Sequence, residues 1–265
     1  MNNAFDFNRF SLLVKRQWIE NKKLFLMAIF GIVGILIIIN SLIMRWEPGI
    51  TYETARFSIF NLSLFLSGSI FANYVFKDIS DKNSSTSFLL IPASHFEKFL
   101  TGVLYVFIVF PIVFLTLFYV VDYGFVNIGN NIKDGLKVPG VKNIQLHNFM
   151  VNSKNIREIL DEIIGSWLII QAFVLMGAAQ FEGRSYVKTA FMGFGLLFLI
   201  GFVIYLSDKL ILSDITQQFQ NKGYSRELIK PTKDMISDIL GICLIYVLPP
   251  ILLVTTYFKL KEKQV

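Results

Sequence analysis

Residues able to carry covalent or metal chemistry are few in this chain. It has two histidines, His95 and His147, and one cysteine, Cys243. Two histidines cannot build a histidine-rich metal site, and one cysteine cannot close an intrachain disulfide. No phosphate-binding G-x-x-x-x-G-K-[ST], no dinucleotide G-x-G-x-x-G and no H-E-x-x-H occurs. His95 stands beside a helix start, where hydrogen bonding at the membrane interface accounts for it. His147 falls in a polar loop. A carboxylate inside an apolar span would point to proton or sodium coupling. None is expected, the nearest being Asp238 in the first turn of the last apolar run, where the helix dipole or snorkelling accounts for it. The sequence therefore predicts no catalytic residue, no metal site, no cofactor and no energy source of its own.

The most informative stretch is NSSTSFLLIPASHFEKFL, from Asn83 to Leu100. Lys77 to Lys82 is a charged exit from a span, and Asn83 to Ser87 is a polar turn. Phe88 to Ile91 is an apolar knob that a short loop cannot bury in itself. Pro92 ends that element, Ser94 is a good N-cap, and Glu97 follows three residues later as the second half of a capping box. Two readings compete for the knob: docking on a soluble motor, or rest in the lipid interface.

The elements that must position this stretch are membrane spans. Of 265 residues 54% are hydrophobic and 17% charged, with mean hydropathy +0.57. A soluble domain would carry about 25% charged residues. A window of about 19 residues predicts an all-α polytopic protein with six transmembrane helices. The expected spans are 24–44, 57–76, 99–121, 163–181, 189–206 and 235–258. Between them fall a coupling loop, 77–98, and two longer external loops, 122–162 and 207–234. Basic residues crowd the first span (Lys15, Arg16, Lys22, Lys23) and close the last (Lys259, Lys261, Lys263). This places both the N-terminus and the tail 259–265 in the cytoplasm, in a multi-pass cell-membrane protein. Anchoring to anionic lipid accounts for the net charge of +6, so no nucleic-acid partner is implied.

Residues 1–23 read as an amphipathic interfacial helix that turns into the first span. Phe7, Phe10, Val14 and Trp18 share a stripe, Arg9, Arg16, Glu20 and Lys23 fall opposite, and Asp6 is placed to cap the start. Within the spans, Gly31, Gly34, Ser63, Ser67, Gly68, Ala72, Gly177 and Ala178 offer surfaces for close helix approach. Asn40, Asn61, Ser67, Asn73, Gln171 and Gln180 need partners there, either as packing glue or along a substrate path. Pro111 and the pair Pro249 and Pro250 should kink their helices.

At TSFLLIPASHFEKFL the sequence resembles type-2 ABC exporter permeases, which carry a threonine, paired leucines, a proline, alanine-serine and a helix start between spans two and three. The resemblance covers about fifteen residues in motif and, more loosely, most of the chain in architecture. It implies a permease subunit that pairs with a second permease, as a homodimer or otherwise, and is driven by a separate ABC ATPase subunit binding ATP and Mg. Thr86, Phe88, Leu89, Leu90, Pro92, Ala93, Ser94 and Glu97 would form the ATPase-binding coupling helix. The implied activity is export of an amphipathic or hydrophobic substrate. An ion-coupled secondary transporter and a non-transporting membrane scaffold or sensor remain alternatives. The longer external loop after span three departs from the simplest form of the family.

Overall fold

The computed structural model describes residues 5–46, 50–76, 93–136, 156–181, 184–207 and 245–262. Among these every regular element is a helix: α1 (Phe7–Trp46), α2 (Ile50–Val75), α3 (His95–Leu104), a π-helical turn (Tyr105–Val109), α4 (Phe110–Leu136), α5 (Ile156–Gln180), α6 (Ser185–Ser207) and α7 (Leu248–Glu262). Four stretches are long and apolar enough to cross a membrane: Phe7–Arg45, Ala55–Val75, His95–Asn131 and Ile163–Gln180. They match the first four expected spans. The fifth falls within α6, of 23 residues. Of the sixth, 235–244 lies outside the described residues, and its C-terminal part belongs to α7.

The N-terminal segment does not turn. α1 is one continuous helix of 40 residues, about 60 Å long at 1.5 Å per residue. Between Phe7 and Phe30 there is neither glycine nor proline, so nothing interrupts the backbone ladder where the expected interfacial helix meets the span. Asp6 caps this helix as its position predicts, accepting the backbone N–H of Asn8 at 2.8 Å. Of the expected stripe, Val14 packs against the core while Phe7 and Trp18 stay exposed.

The third span is also longer than its hydropathy indicates. α3, the π turn and α4 follow one another without a break from His95 to Leu136, so 122–136 is helix rather than external loop. Continued backbone hydrogen bonding outweighs the cost of Gly124, Gly129 and Gly135, about 1 kcal/mol each. Pro111 has a local cause and effect. Its ring would strike the carbonyl four residues back, and the turn before it widens so that the Phe110 N–H bonds the Tyr105 carbonyl. Pro249 and Pro250 sit in the first turn of α7, where missing N–H groups cost nothing. Ile245 and Tyr246 before them are helical and are parted from α7 by a turn at Val247, an interruption of the kind the two prolines predict. α5 begins at Ile156, ahead of the expected span start at 163, so 156–162 is helix as well.

α5 is the central helix, packed against α7, α2 and α6, while α1 lies along α4, α3 and α2. One cluster joins Phe25, Phe76, Tyr105, Leu175 and Leu260. A second joins Leu36, Phe60, Phe110, Phe114 and Trp167, with Phe110 and Trp167 stacked at 5.7 Å. Small residues decide where backbones meet. A Cβ on Gly68 would lie 2.2 Å from the Trp167 ring, and one on Gly177 would lie 2.2 Å from Thr189 Oγ1. At Gly31 and Gly34 an added Cβ would meet nothing within 4 Å among the described residues, so neither marks a close helix approach there. Large apolar side chains point outward along the helices, among them Phe30, Phe191 and Phe198, as lipid contact requires.

Candidate functional site

The start of α3 forms a buried junction between three helices. Ser94 and Glu97 make the capping box that their spacing predicts: Ser94 Oγ accepts the Glu97 N–H at 3.2 Å, and Glu97 Oε2 accepts the Ser94 N–H at 2.8 Å. Glu97 is fully buried and does more than cap. Its Oε1 accepts the backbone N–H of Asp6 at 2.7 Å, and Arg9 Nη2 lies 3.1 Å from the same oxygen. One carboxylate thus holds the start of α3 and the start of α1 together.

Aromatic rings add the third helix. Phe5 meets Phe96 at 6.2 Å, and Tyr257 of α7 meets Phe96 at 6.3 Å and Phe99 at 5.7 Å. One turn further on, the buried Tyr105 of the π turn donates its hydroxyl to the Val14 carbonyl at 2.8 Å. Tyr74 of α2 donates to Asn21 Oδ1 at 2.7 Å. The first four turns of α1 are therefore clamped to α2, α3 and the π turn. His95 heads α3 with a buried Nδ1 that has no hydrogen-bond partner among the described residues.

Of the expected coupling residues, Ala93, Ser94 and Glu97 belong to this junction. Thr86, Phe88, Leu89, Leu90 and Pro92 lie outside the described residues. The junction begins directly after them in the chain.

The polar residues of the spans meet different partners. Asn40 donates to the Leu36 carbonyl at 2.8 Å, Asn61 to the Phe57 carbonyl at 3.0 Å, and Ser67 to the Ser63 carbonyl, each within its own helix. Asn73 links α2 to α6 by donating to Ser185 Oγ at 3.0 Å. Gln180 is exposed at the end of α5. Gln171 is fully buried, and its amide has no hydrogen-bond partner among the described residues, nor has Trp167 Nε1 one turn before it.

Two residues were missed in sequence because each flanks an apolar run. Arg56 of α2 is fully buried and donates from Nε to Asp122 Oδ1 of α4 at 2.8 Å, with its Nη2 on the second carboxylate oxygen. Asp122 is expected in an external loop, and the structure places it inside the apolar helix instead. α4 therefore carries a buried carboxylate, held in a two-point pair by Arg56. Val126, one turn further along α4, packs on Ile43 and Met44, which places the pair toward the far end of α1 from the Glu97 junction. Among the described residues no cluster of three metal-ligating side chains occurs. Comparison with family models, with curated proteins and with solved structures finds no match for this chain.

Proposed function

We propose that this chain is the membrane subunit of an ATP-driven exporter of the type-2 ABC class, moving an amphipathic or hydrophobic substrate by means of separate ATPase subunits. The observation that carries the reading is the Glu97 junction. A soluble motor can drive a membrane pathway only through a rigid connection, and Glu97 fastens α1 to the helix that follows the coupling segment. From there the force has two routes: along α1, and through the π turn into α4. A π turn is a place where a helix changes register at small cost, and such turns recur at functional sites. ATP and Mg would bind the partner subunit, and the chain would pair with a second permease, as a homodimer or otherwise. In this reading six spans place both termini in the cytoplasm, within the cell membrane.

The Arg56 and Asp122 pair favours a second reading, an ion-coupled secondary transporter, because intramembrane carboxylates serve proton and ion pathways. The carboxylate is committed to a two-point pair with arginine, which keeps it from an incoming cation. The exporter reading therefore stands first. It is tested by assaying the purified chain in nanodiscs for ATP hydrolysis, alone and after addition of the ATPase that co-purifies with it. Turnover confined to the mixture supports the reading, and turnover by this polypeptide alone overturns it.

A further inference from the structure

An apolar cavity of about 350 Å³ lies between α1, α2 and α4, walled by Phe25, Ile32, Phe71, Tyr105, Val113 and Phe114. Its few polar side chains are already engaged. Ser67 bonds the Ser63 carbonyl, Tyr74 bonds Asn21, and Tyr105 bonds the Val14 carbonyl. The occupant must therefore be hydrocarbon where it meets the wall. The volume is near the lower end for small-ligand sites, about 300–1,000 Å³. A second helix, about 10 Å across with its side chains, does not fit.

The mouth identifies the rest of the occupant. Trp18 lines the cavity at its N-terminal end and is 46% exposed. Lys15, Trp18, Lys22, Phe25 and Ile29 follow one another at three- and four-residue spacing, so they form one stripe along α1. Trp18, Phe25 and Ile29 are cavity wall, and Lys15 and Lys22 stand three residues before and four after Trp18, one turn away from it on either side. Both lysines are exposed, and neither has an ion-pair partner among the described residues. An indole at headgroup depth between two cations is suited to a phosphate ester.

We infer that this cavity is a binding site for an anionic phospholipid of the surrounding bilayer, with one acyl chain between α1, α2 and α4 and its phosphate at Lys15 and Lys22. The site goes beyond the exporter reading and depends on neither a motor nor a cargo. It puts a lipid chain against Tyr105 and Val109 of the π turn. Occupancy would then brace that turn in its present register.

The test is photo-crosslinking of the full chain in nanodiscs of phosphatidylcholine doped with a diazirine-chain probe, either phosphatidylglycerol or phosphatidylcholine. Adducts are mapped by mass spectrometry. The phosphatidylglycerol probe should label the wall of residues 109–117 in preference to the outward rings of α6. Lys15→Gln and Lys22→Gln should each lower that preference about fivefold, the value of one surface cation near anionic lipid. Gly31→Leu should lower labelling by taking up part of the cavity. Gly31 lines the cavity and its added Cβ meets nothing within 4 Å, so the variant keeps the fold, which a thermal melt verifies. Equal labelling by the two probes in the unmodified chain overturns the anionic assignment. Wall labelling at the unmodified level in Gly31→Leu overturns the site.

Discussion

Glu97→Ala removes the carboxylate that joins α1 to α3, and its cost can be worked bond by bond. Loss of half the capping box costs about 1 kcal/mol. The Asp6 N–H loses a charged acceptor at 2.7 Å, worth about 1.5–3 kcal/mol. The Arg9 pair adds less than about 1 kcal/mol, because the arginine side chain is 40% exposed. Together the junction loses about 3–5 kcal/mol, most of it in holding the first turns of α1. The Asp6 and Arg9 contributions to α1 come to about 1.5–4 kcal/mol, so at about 1.4 kcal/mol per tenfold change amide exchange in residues 6–10 should speed up about tenfold to several hundredfold. Hydrogen exchange followed by mass spectrometry in nanodiscs reads this directly. Exchange in α5, remote from the junction, should not change. Phe5 and Phe96, 6.2 Å apart, supply a second readout. A cysteine pair at those positions in a Cys243→Ser background should be joined by a short bifunctional maleimide, and joined less with Glu97→Ala. Unchanged exchange at 6–10 together with unchanged crosslink yield would show that Glu97 does not hold the helices together.

Removing one member of the buried ion pair, by Arg56→Met or Asp122→Asn, should destabilise the bundle by about 3–5 kcal/mol, whereas Arg56→Met with Asp122→Leu should return close to the original stability in a thermal melt. Gly68→Ala should lower the melting temperature, because the Trp167 ring stands 2.2 Å from the new Cβ, while Gly34→Ala should leave it unchanged, with open space around its Cβ. Cysteines at Asn130 and Asn221, again without Cys243, should react with an impermeant thiol reagent on intact cells, and one at Ser85 should not. The reverse pattern would invert the membrane orientation.

What the sequence made legible was local or strongly apolar. The first four spans follow from uncharged apolar runs, and the Ser94 and Glu97 box follows from two residues three apart. Contacts between distant segments left no such mark. Arg56 and Asp122 each border an apolar run, where a charge ordinarily anchors a span at the headgroups, and only the packing of α2 against α4 brings them together. Glu97 looked like a cap because its partners Asp6 and Arg9 are about ninety residues earlier in the chain. Pro111 was rightly placed inside an apolar run, but its effect depends on whether the preceding turn bends or widens, and here it widens. The continuity of α1 was missed because amphipathic and apolar segments were read as separate elements, although nothing between them breaks a helix.

In the exporter reading an ATPase docks on residues 86–92 and drives this chain through the Glu97 junction. The most direct measurement is vanadate-sensitive ATP hydrolysis captured with the tagged chain, compared with that captured by Leu89→Asp. A charge buried without a partner adds its own penalty to the loss of about 1.5–3 kcal/mol of apolar burial, so docking should weaken a hundredfold or more. Captured activity should vanish while expression and span topology persist. Full activity retained by Leu89→Asp would contradict the account.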